Sequence, residues 1–329
     1  MQNKAKIIGA GHALGEGVLT NSDLEKMVET SDEWIIERTG IRERRIAREH
    51  TYVSDLAFSA SEAALRNAGL PAAELDLIIV ATVTADYITP SVSCMLQAKL
   101  GASKAAAYDI NMACTGFVGG LTMAQQFIES GMFQNILVVG ADVLSKVTDY
   151  KDRKTCILFG DGAGAAVLRR CGDAEESGIV VSRIGANGAI GHNLTLPFLR
   201  VEGVEMEKRV SKNPHSLWMD GSEVFKFAVR VMAEAVKDTL AAAGLTVDDI
   251  DLLIPHQANT RIIDGAVKRI KIHPDKVFVN LPQYGNMSSA SIAVALSEAA
   301  EQGRMKRGDT VVLVGFGGGL TWGCTVLKW

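Results

Sequence analysis

The feature that most constrains the fold of this chain is an internal repeat with a constant spacing. Residues 68–79 contain Ala-Gly-Leu followed by Leu-Asp-Leu-Ile-Ile, and residues 243–254 contain Ala-Gly-Leu followed by Ile-Asp-Leu-Leu-Ile. Residues 136–140 reappear in the same way at 311–315. The offset is constant, since 243 − 68 = 175 and 311 − 136 = 175. Equal gaps between matching segments indicate two copies of one structural unit.

We therefore predict an N-terminal half at residues 1–175 and a C-terminal half at 176–329, joined between residues 172 and 178. Each half alternates apolar strand-like runs with helical patterns, which is typical of an α/β fold with mostly parallel mixed sheets. The predicted helices are 54–68, 91–100 and 117–130 in the first half, and 223–243, 260–270 and 288–301 in the second. The predicted strands are 75–82, 105–110, 136–140, 251–254, 277–280 and 310–315.

The composition bounds the class of protein. The net charge of −4 argues against a nucleic-acid-binding protein, which normally has a basic surface. No apolar run approaches the ~18–20 residues of a membrane span, and the N-terminus has no signal-peptide core. The five cysteines are odd in number and widely spaced, which favours reduced thiols over disulfides or a zinc site. We expect a cytoplasmic protein that inserts into no membrane.

Cys114 lies where a predicted strand turns into a predicted helix. An apolar run at 105–108 precedes it, and apolar residues recur at helical spacing from 117 to 128. A helix N-terminus favours an anion, so we expect the pKa of this thiol to be lowered and its thiolate to be nucleophilic. The alternative is a buried, inert cysteine, which is the commoner environment of a free thiol.

Three further polar or glycine-rich positions follow predicted strands or precede a predicted helix. His256 comes directly after the strand at 251–254, Asn286 precedes the helix at 288–301, and Gly318 lies in a glycine-dense turn after the closing strand. Catalytic residues of open α/β sheets gather at the carboxyl ends of strands, which favours a joint functional interpretation. Taken singly, each has an alternative: a structural histidine, a helix cap and a turn glycine.

Two other glycine-rich stretches suggest nucleotide-binding loops at first sight. Residues 9–15 lack the third glycine of the dinucleotide pattern, because Leu14 stands there, and the chain contains no phosphate-binding P-loop motif. We predict that residues 9–15 and 159–165 form backbone turns, the second of them within a strand region.

The chain resembles the β-ketoacyl-acyl-carrier-protein synthase III family of the thiolase-fold superfamily along essentially its whole length. The matching segments occur in order, at the spacing of the family: Ser31-Asp-Glu-Trp-Ile, Arg38-Thr-Gly-Ile-Arg-Glu-Arg, Ala113-Cys-Thr-Gly-Phe, Phe159-Gly-Asp-Gly-Ala-Gly-Ala, Pro255-His-Gln-Ala-Asn, Tyr284-Gly-Asn and Gly315-Phe-Gly-Gly-Gly-Leu-Thr-Trp-Gly.

The resemblance implies a duplicated five-layer α-β-α-β-α fold, a homodimer, and a catalytic triad of Cys114, His256 and Asn286. It implies that the backbone N–H groups of Cys114 and Gly318 form an oxyanion hole. The reaction it implies is a decarboxylative condensation of a short acyl-CoA with malonyl-acyl carrier protein through an acyl-Cys114 intermediate. Acyl-CoA would be a substrate, with no cofactor and no metal.

The same resemblance implies roles outside the triad. Coenzyme A would be bound by Trp34, Arg38, Arg153 and Asn259. The acidic carrier protein would meet a basic surface formed by Lys226, Arg261, Lys268 and Arg269, although each of these side chains could equally be an ordinary solvated cation. Thr89 stands where many relatives have a Phe that lines the acyl pocket across the dimer interface, so we expect primers longer or more branched than acetyl.

Three alternatives remain open from the sequence. The enzyme could use malonyl-CoA directly or carry out another acyl transfer in secondary metabolism. It could be a catalytically silent paralogue, although such proteins usually lose a triad residue. A papain-type hydrolase shares Cys, His and Asn but not the duplicated order of strands and helices.

Overall fold

The computed structural model describes residues 4–172, 177–198 and 215–329. The predicted boundary between the halves, at residues 175 and 176, lies outside the described residues. Two main sheets are present in the described part, and each is built from one side of that boundary.

The first sheet is mixed and has the strand order β1-β7-β6-β4-β5. The β6–β4 and β4–β5 pairs are parallel, and the β1–β7 and β7–β6 pairs are antiparallel. The strands are β1 (Ala5–Leu14), β4 (Leu77–Ala81), β5 (Ala106–Ile110), β6 (Asn135–Val143) and β7 (Asp161–Arg170).

The second sheet has the order β11-β12-β13-β8. The β11–β12 pair is parallel, and the other two pairs are antiparallel. The strands are β8 (Gly178–Ala186), β11 (Leu252–Pro255), β12 (Thr310–Gly317) and β13 (Thr321–Lys328). Two short pairs complete the described strands: β2 (Gly17–Thr20) with β3 (Glu43–Ile46), and β9 (Leu194–Thr195) with β10 (Trp218–Met219).

The helices pack on these sheets in layers. They are α1 (Asn21–Glu25), α2 (Asp32–Thr39), α3 (Val53–Ala68), α4 (Val92–Leu100), α5 (Gly116–Glu129), α6 (Gly221–Ala242), α7 (Thr260–Ile270), α8 (Leu281–Tyr284) and α9 (Ala290–Glu301). None of the described helices is long and apolar enough to cross a membrane.

The predicted five-layer fold is confirmed. Helices α3 and α4 cover the outer face of the first sheet, and α6, with α7 packed on it, covers the second. Helices α5 and α9 lie between the two sheets, where their apolar side chains form the central core. Their N-termini meet, because a Cβ on Gly116 would lie 3.4 Å from the Cβ of Ser289.

The repeat extends to an unusual backbone conformation. Ala113 has φ +46°, Ser288 has φ +49°, and the two are related by the same offset, since 288 − 113 = 175. Left-handed φ values are rare for residues other than glycine and are kept only where the surrounding structure enforces them. Both residues lie in the turn that leads into a central helix, α5 or α9.

The prediction of a strand at 277–280 is wrong. Only Val277 forms a bridge, with Leu253 of β11. The backbone N–H groups of Asn280 and Leu281 donate instead to the side-chain oxygen of Gln257, at 3.1 and 3.2 Å. Pairing with β11 therefore stops after the Phe278 N–H, which donates to the Leu253 carbonyl at 2.9 Å, and the buried Gln257 amide takes the N–H of Asn280.

The prediction of turns at 9–15 and 159–165 is also wrong. Residues 9–14 belong to β1, and residues 161–165 belong to β7. Their glycines allow helices to approach the sheet closely: a Cβ on Gly11 would lie 2.3 Å from the Ala64 nitrogen of α3, and one on Gly164 would lie 2.5 Å from the Ala293 carbonyl carbon of α9. Glycine in a strand often marks such an approach.

Candidate active site

A cavity of about 1310 Å³ opens beside the N-termini of α5 and α9. Cys114, His256, Asn286 and Gly318 all line it, although they lie on four separate segments of the chain. The structure therefore brings together the four residues that the sequence placed at the ends of predicted elements. Among the described residues, no group of three His, Cys, Asp or Glu side chains could hold a metal ion.

Cys114 is held in a short 3-10 turn, Ala113–Thr115, directly before α5. The Thr115 hydroxyl lies 2.8 Å from the hydroxyl of Thr321, which ties this turn to β13. The end of β12 also packs closely against this turn, since a Cβ on Gly317 would lie only 2.6 Å from the Cys114 nitrogen. Any side chain at position 317 would push the nucleophile turn away from the backbone of residues 317–319.

The pKa of the Cys114 thiol is shifted against our expectation. Burial raises it to about 12, the nearby Asp142 carboxylate adds to the rise, and the Ser288 hydroxyl opposes it with a hydrogen bond. A helix N-terminus does follow the cysteine, but the loss of hydration outweighs it. The raised pKa favours the thiol form of the resting residue over the thiolate.

His256 is positioned by the end of β11. Its backbone N–H donates to Val314 at 2.8 Å, and its ring contacts Phe316 edge-on with a centroid distance of 5.4 Å. The residue is 1% exposed, and neither ring nitrogen has a hydrogen-bond partner within the described part of the chain. Burial lowers its pKa to about 3, so the imidazole is neutral. Two unpartnered nitrogens on a buried neutral ring are available to a ligand in the cavity.

Asn286 is fixed from both sides. Its backbone N–H donates to Leu158 at 2.8 Å, and its carbonyl accepts from the Gly160 N–H at 3.0 Å. Its side-chain Oδ1 accepts from the Ser288 N–H at 2.8 Å. Because Oδ1 is committed, Nδ2 is the amide group left to donate into the cavity, and none of the described residues takes a hydrogen bond from it.

The predicted coenzyme A residues gather at one part of this cavity. Trp34 and Arg38 line it, and the guanidinium groups of Arg38 and Arg153 lie 5.7 and 5.4 Å from the centre of the Trp34 ring. Arg153 itself is exposed beside the cavity and donates to the Glu29 carbonyl at 3.0 Å. An indole with two guanidinium groups within 6 Å provides an aromatic surface beside positive charge, which suits a nucleotide with phosphates.

Asn259 lines the cavity, but its amide is already engaged. Its Oδ1 accepts from the Arg261 N–H at 2.8 Å as the N-cap of α7, and its Nδ2 donates to the Arg38 carbonyl at 3.1 Å. Asn259 therefore connects α7 to the end of α2, and it holds Arg38 in place.

Thr89 and the basic residues do not line the cavity of their own chain. Thr89 is exposed, in a loop with Tyr87 and Ile88, which are 60% and 69% exposed. The cations are exposed on α6 and α7: Lys226, Arg261, Lys268 and Arg269. Lys226 forms an ion pair with Glu223 at 2.7 Å. Arg261 stands at the start of α7, whereas Lys268 and Arg269 stand in its last turn, roughly 12 Å along the helix axis.

Sequence reasoning missed two residues of this site. Ser288 lines the cavity beside Asn286, and Asp142 is fully buried at the end of β6 with its charge close to Cys114. The repeat offers a signal for the first, because Ser288 corresponds to Ala113. For Asp142 the sequence gives no comparable signal, since an aspartate at the end of a strand usually faces solvent.

The burial of His256 in its neutral form leads us to predict how the stability of the protein depends on pH. Its pKa lies near 3 in the folded chain and near 6.5 when hydrated, so below pH 6.5 only the unfolded chain takes up the proton. The free energy of unfolding should therefore fall on acidification, by about 2 kcal/mol at pH 5. Urea unfolding of the wild type and of His256→Gln at pH 7 and pH 5 measures this contribution. The variant should lose less stability than the wild type, and equal losses would contradict the assignment.

Comparisons with known proteins agree along the whole chain. Residues 108–188 match the family model of 3-oxoacyl-[acyl-carrier-protein (ACP)] synthase III, and residues 240–329 match the model of its C-terminal part. A β-ketoacyl-[acyl-carrier-protein] synthase III of Caldanaerobacter subterraneus is 54% identical over 325 residues, covering 99% of this chain and 98% of the relative.

Solved structures give the same result. The 3-oxoacyl-[acyl-carrier-protein] synthase III of Aquifex aeolicus superposes with a TM-score of 0.92 at 46% identity, covering 99% of this chain and 100% of the other. A priming β-ketosynthase from a polyketide biosynthetic pathway superposes with a TM-score of 0.91 at 35% identity, covering 99% and 97%.

Proposed function

This chain belongs to the 3-oxoacyl-[acyl-carrier-protein] synthase III family, and from that membership we propose which of its residues carry out the reaction and how. The enzyme is an acyltransferase that condenses a short acyl-CoA with malonyl-acyl carrier protein. The reaction releases CO2 and coenzyme A, and its β-ketoacyl-carrier-protein product starts fatty acid synthesis.

The observation that carries the proposal is the convergence of a thiol, a neutral imidazole and an amide donor on one cavity. Cys114 is the nucleophile, and His256 and Asn286 are the two groups whose nitrogens remain available to a substrate. This set can first form a thioester and then stabilise a negatively charged oxygen.

In the first step the Cys114 sulfur attacks the carbonyl carbon of acyl-CoA. Burial keeps the resting thiol protonated and the imidazole neutral, so the proton does not move before the attack. As the carbon–sulfur bond forms, the S–H becomes strongly acidic and its proton passes to His256, whose new positive charge is offset by the oxyanion. The backbone N–H groups of Cys114 and Gly318 hold the tetrahedral oxyanion, and one such donor is worth ~3–4 kcal/mol. The bond to coenzyme A then breaks, and its thiolate leaves with the proton from His256.

In the second step malonyl-carrier protein replaces coenzyme A. Its carboxylate leaves as CO2, and the electron pair of the broken carbon–carbon bond passes to the thioester as an enolate. His256 and Asn286 donate hydrogen bonds to the enolate oxygen. The carbanion attacks the acyl carbon on Cys114, the carbon–sulfur bond breaks, and the thiolate takes up a proton from solvent. No cofactor or metal enters this route.

The two substrates would approach over different residues. Trp34, Arg38 and Arg153 suit the adenine and phosphates of coenzyme A, and Asn259 supports Arg38. The exposed cations on α6 and α7, Lys226, Arg261, Lys268 and Arg269, would meet the acidic carrier protein by charge complementarity.

We further propose a homodimer in the cytoplasm. The exposed apolar side chains of Tyr87 and Ile88 favour a protein partner, and Thr89 can reach an acyl pocket only if that pocket belongs to a second copy. All five cysteines are free, which suits a reducing compartment. The two halves would be residues 1–175, which carry Cys114, and 176–329, which carry His256 and Asn286.

A primer series tests the role of Thr89. We expect longer and branched acyl-CoAs to be used within about tenfold of acetyl-CoA in kcat/KM, because a threonine leaves more room than a phenylalanine. Thr89→Phe should narrow the range towards acetyl without removing activity on it. Strict selectivity of the wild type for the two-carbon primer would contradict this prediction.

The experiment that tests the proposed function is intact-mass analysis in two stages. An acyl adduct should form with acyl-CoA and should discharge when malonyl-carrier protein is added, with a carrier-bound product. Discharge by malonyl-CoA alone would point to an acyl transfer outside fatty acid synthesis. No adduct with any acyl-CoA would contradict the proposal.

A further inference from the structure

A buried carboxylate that the two-step route does not use lies beside the catalytic cavity. Asp142 on β6 is 0% exposed, and no described Lys, Arg or His forms an ion pair with it. Its Oδ1 accepts hydrogen bonds from Thr82 Oγ1 at 3.1 Å, Val83 N at 2.8 Å and Thr84 Oγ1 at 3.0 Å. Its Oδ2 accepts from the N and Oγ of Ser289, at 3.1 and 2.7 Å. Four donors are committed to the carboxylate, and the Ser289 hydroxyl shares its single proton between Asp142 and the Ala81 carbonyl. Burial raises the pKa of Asp142, and these hydrogen bonds oppose that rise in place of a counter-ion.

These donors come from two segments beside the same cavity, although Ser289 itself does not line it. Residues 82–84 line it and begin the loop that carries Thr89. Ser289 lies on the opposite half of the chain, directly after Ser288 and three residues after Asn286. One carboxylate therefore connects the wall at 82–84 to the segment that carries the catalytic amide.

The segment from Asn286 to Ser289 leaves little freedom for the amide to move. The Ser288 N–H donates to Asn286 Oδ1 at 2.8 Å, and Ser288 holds the left-handed φ of +49°. Ser289 anchors the end of the segment, because its hydroxyl lies within hydrogen-bond distance of Asp142 and, at 2.8 Å, of the Ala81 carbonyl. If Ser289 shifts, the peptide that orients the Asn286 amide shifts with it.

We propose that Asp142 is a positioning residue for the decarboxylation step, because it clamps residues 82–84 against residues 286–289 and thereby aims Asn286 Nδ2 at the enolate. The inference rests on the proposed role of Asn286. Asp142 itself touches no substrate.

The arrangement of these donors on both oxygens calls for a carboxylate at this position. An ionised aspartate accepts with both oxygens, whereas asparagine accepts with one and donates with the other. The backbone N–H groups of Val83 and Ser289 cannot rotate away, so an asparagine at position 142 would leave one of them facing an NH2 group. Asp142→Asn therefore releases one wall of the clamp while it keeps the size of the side chain.

The test separates the two chemical steps in the full-length enzyme. Asp142→Asn should slow the decarboxylation of malonyl-carrier protein by about tenfold. The rate of Cys114 acylation by acyl-CoA should stay within about threefold of wild type or rise, because the variant lacks the nearby negative charge that raises the pKa of the thiol. Ser289→Ala removes the hydroxyl but keeps the backbone N–H. It should therefore lower the ratio of the decarboxylation rate to the acylation rate as well, by a smaller factor than Asp142→Asn. Rates are measured from CO2 release and from intact mass.

Val139→Ala provides the matched control. Val139 lies on the same strand, is 0% exposed, and packs in the core under α3 instead of lining the cavity. It should lower the unfolding temperature through a lost core contact, yet it should leave the ratio of the two rates unchanged.

The outcomes are distinct. Equal loss of both rates in Asp142→Asn, or no loss in either, would overturn the clamp. If Asp142→Asn does not fold, Ser289→Ala decides, and a wild-type ratio there overturns the inference. A wild-type enzyme that forms no acyl adduct would contradict the proposed function itself. An active wild type with an unchanged ratio in both variants would contradict only the role of Asp142.

Discussion

Replacing Cys114 with alanine is expected to abolish the acyl adduct and to slow condensation by about 10⁴-fold or more, because no other cysteine is among the described residues that line the cavity. Intact mass after incubation with acyl-CoA measures the first effect, and formation of β-ketoacyl-carrier protein measures the second. The folded structure should persist, because the change removes one sulfur atom from the wall of a cavity.

Cys94→Ala is the control for this experiment. Cys94 is exposed on α4, so it is the thiol most open to non-specific acylation. The variant should keep the adduct and the activity of the wild type. An adduct that survives in Cys114→Ala but disappears in Cys94→Ala would move the nucleophile and overturn the two-step route.

Asn286→Ala is expected to slow decarboxylation of malonyl-carrier protein by about 10²–10³-fold, which corresponds to ~3–4 kcal/mol of lost enolate stabilisation. Acylation of Cys114 should continue, since the first step uses His256 and the backbone N–H groups. The measurements are CO2 release and intact mass on the same enzyme preparation.

Asn286→Asp sharpens this second test. An ionised aspartate keeps the size of the side chain and its bond from the Ser288 N–H, but it replaces the Nδ2 donor with an acceptor. It should be at least as slow as Asn286→Ala, because a negative charge would face the enolate. Decarboxylation within about threefold of wild type in either variant would remove Asn286 from the mechanism.

The constant offset of 175 residues explains why much of the fold could be predicted from the sequence. It placed the central helices correctly, since α5 and α9 begin at Gly116 and Ala290, and it matched β6 with β12. The strand at 277–280 was wrong because its pairing stops after Phe278 and a distant side chain, Gln257, takes the N–H of Asn280. Pattern alone does not show such a competition.

The chemistry of the site was less predictable than its location. The sequence suggested a lowered thiol pKa for Cys114 from the helix that follows, but burial depends on which segments close over it. The depressed pKa of His256 has the same origin, since its neighbour Phe316 lies sixty residues away in the chain. The contacts of Asp142 could not be predicted from the sequence, because its donors at Val83 and Ser289 are brought together only in the folded chain.

The two equivalent left-handed turns have a consequence for how this architecture can evolve. An ancestral pair of identical units would present two nucleophile positions, one at Cys114 and one at Ser289. In this chain Ser289 makes structural contacts instead. Its hydroxyl contacts Asp142 and Ala81, and its Cβ lies close to Gly116. A cysteine placed there would gain no access to acyl-CoA and would disturb the first site. A repeated architecture of this kind can therefore keep both turns while only one of them carries a residue open to the cavity: Cys114 lines it, whereas Ser289 is 1% exposed and does not.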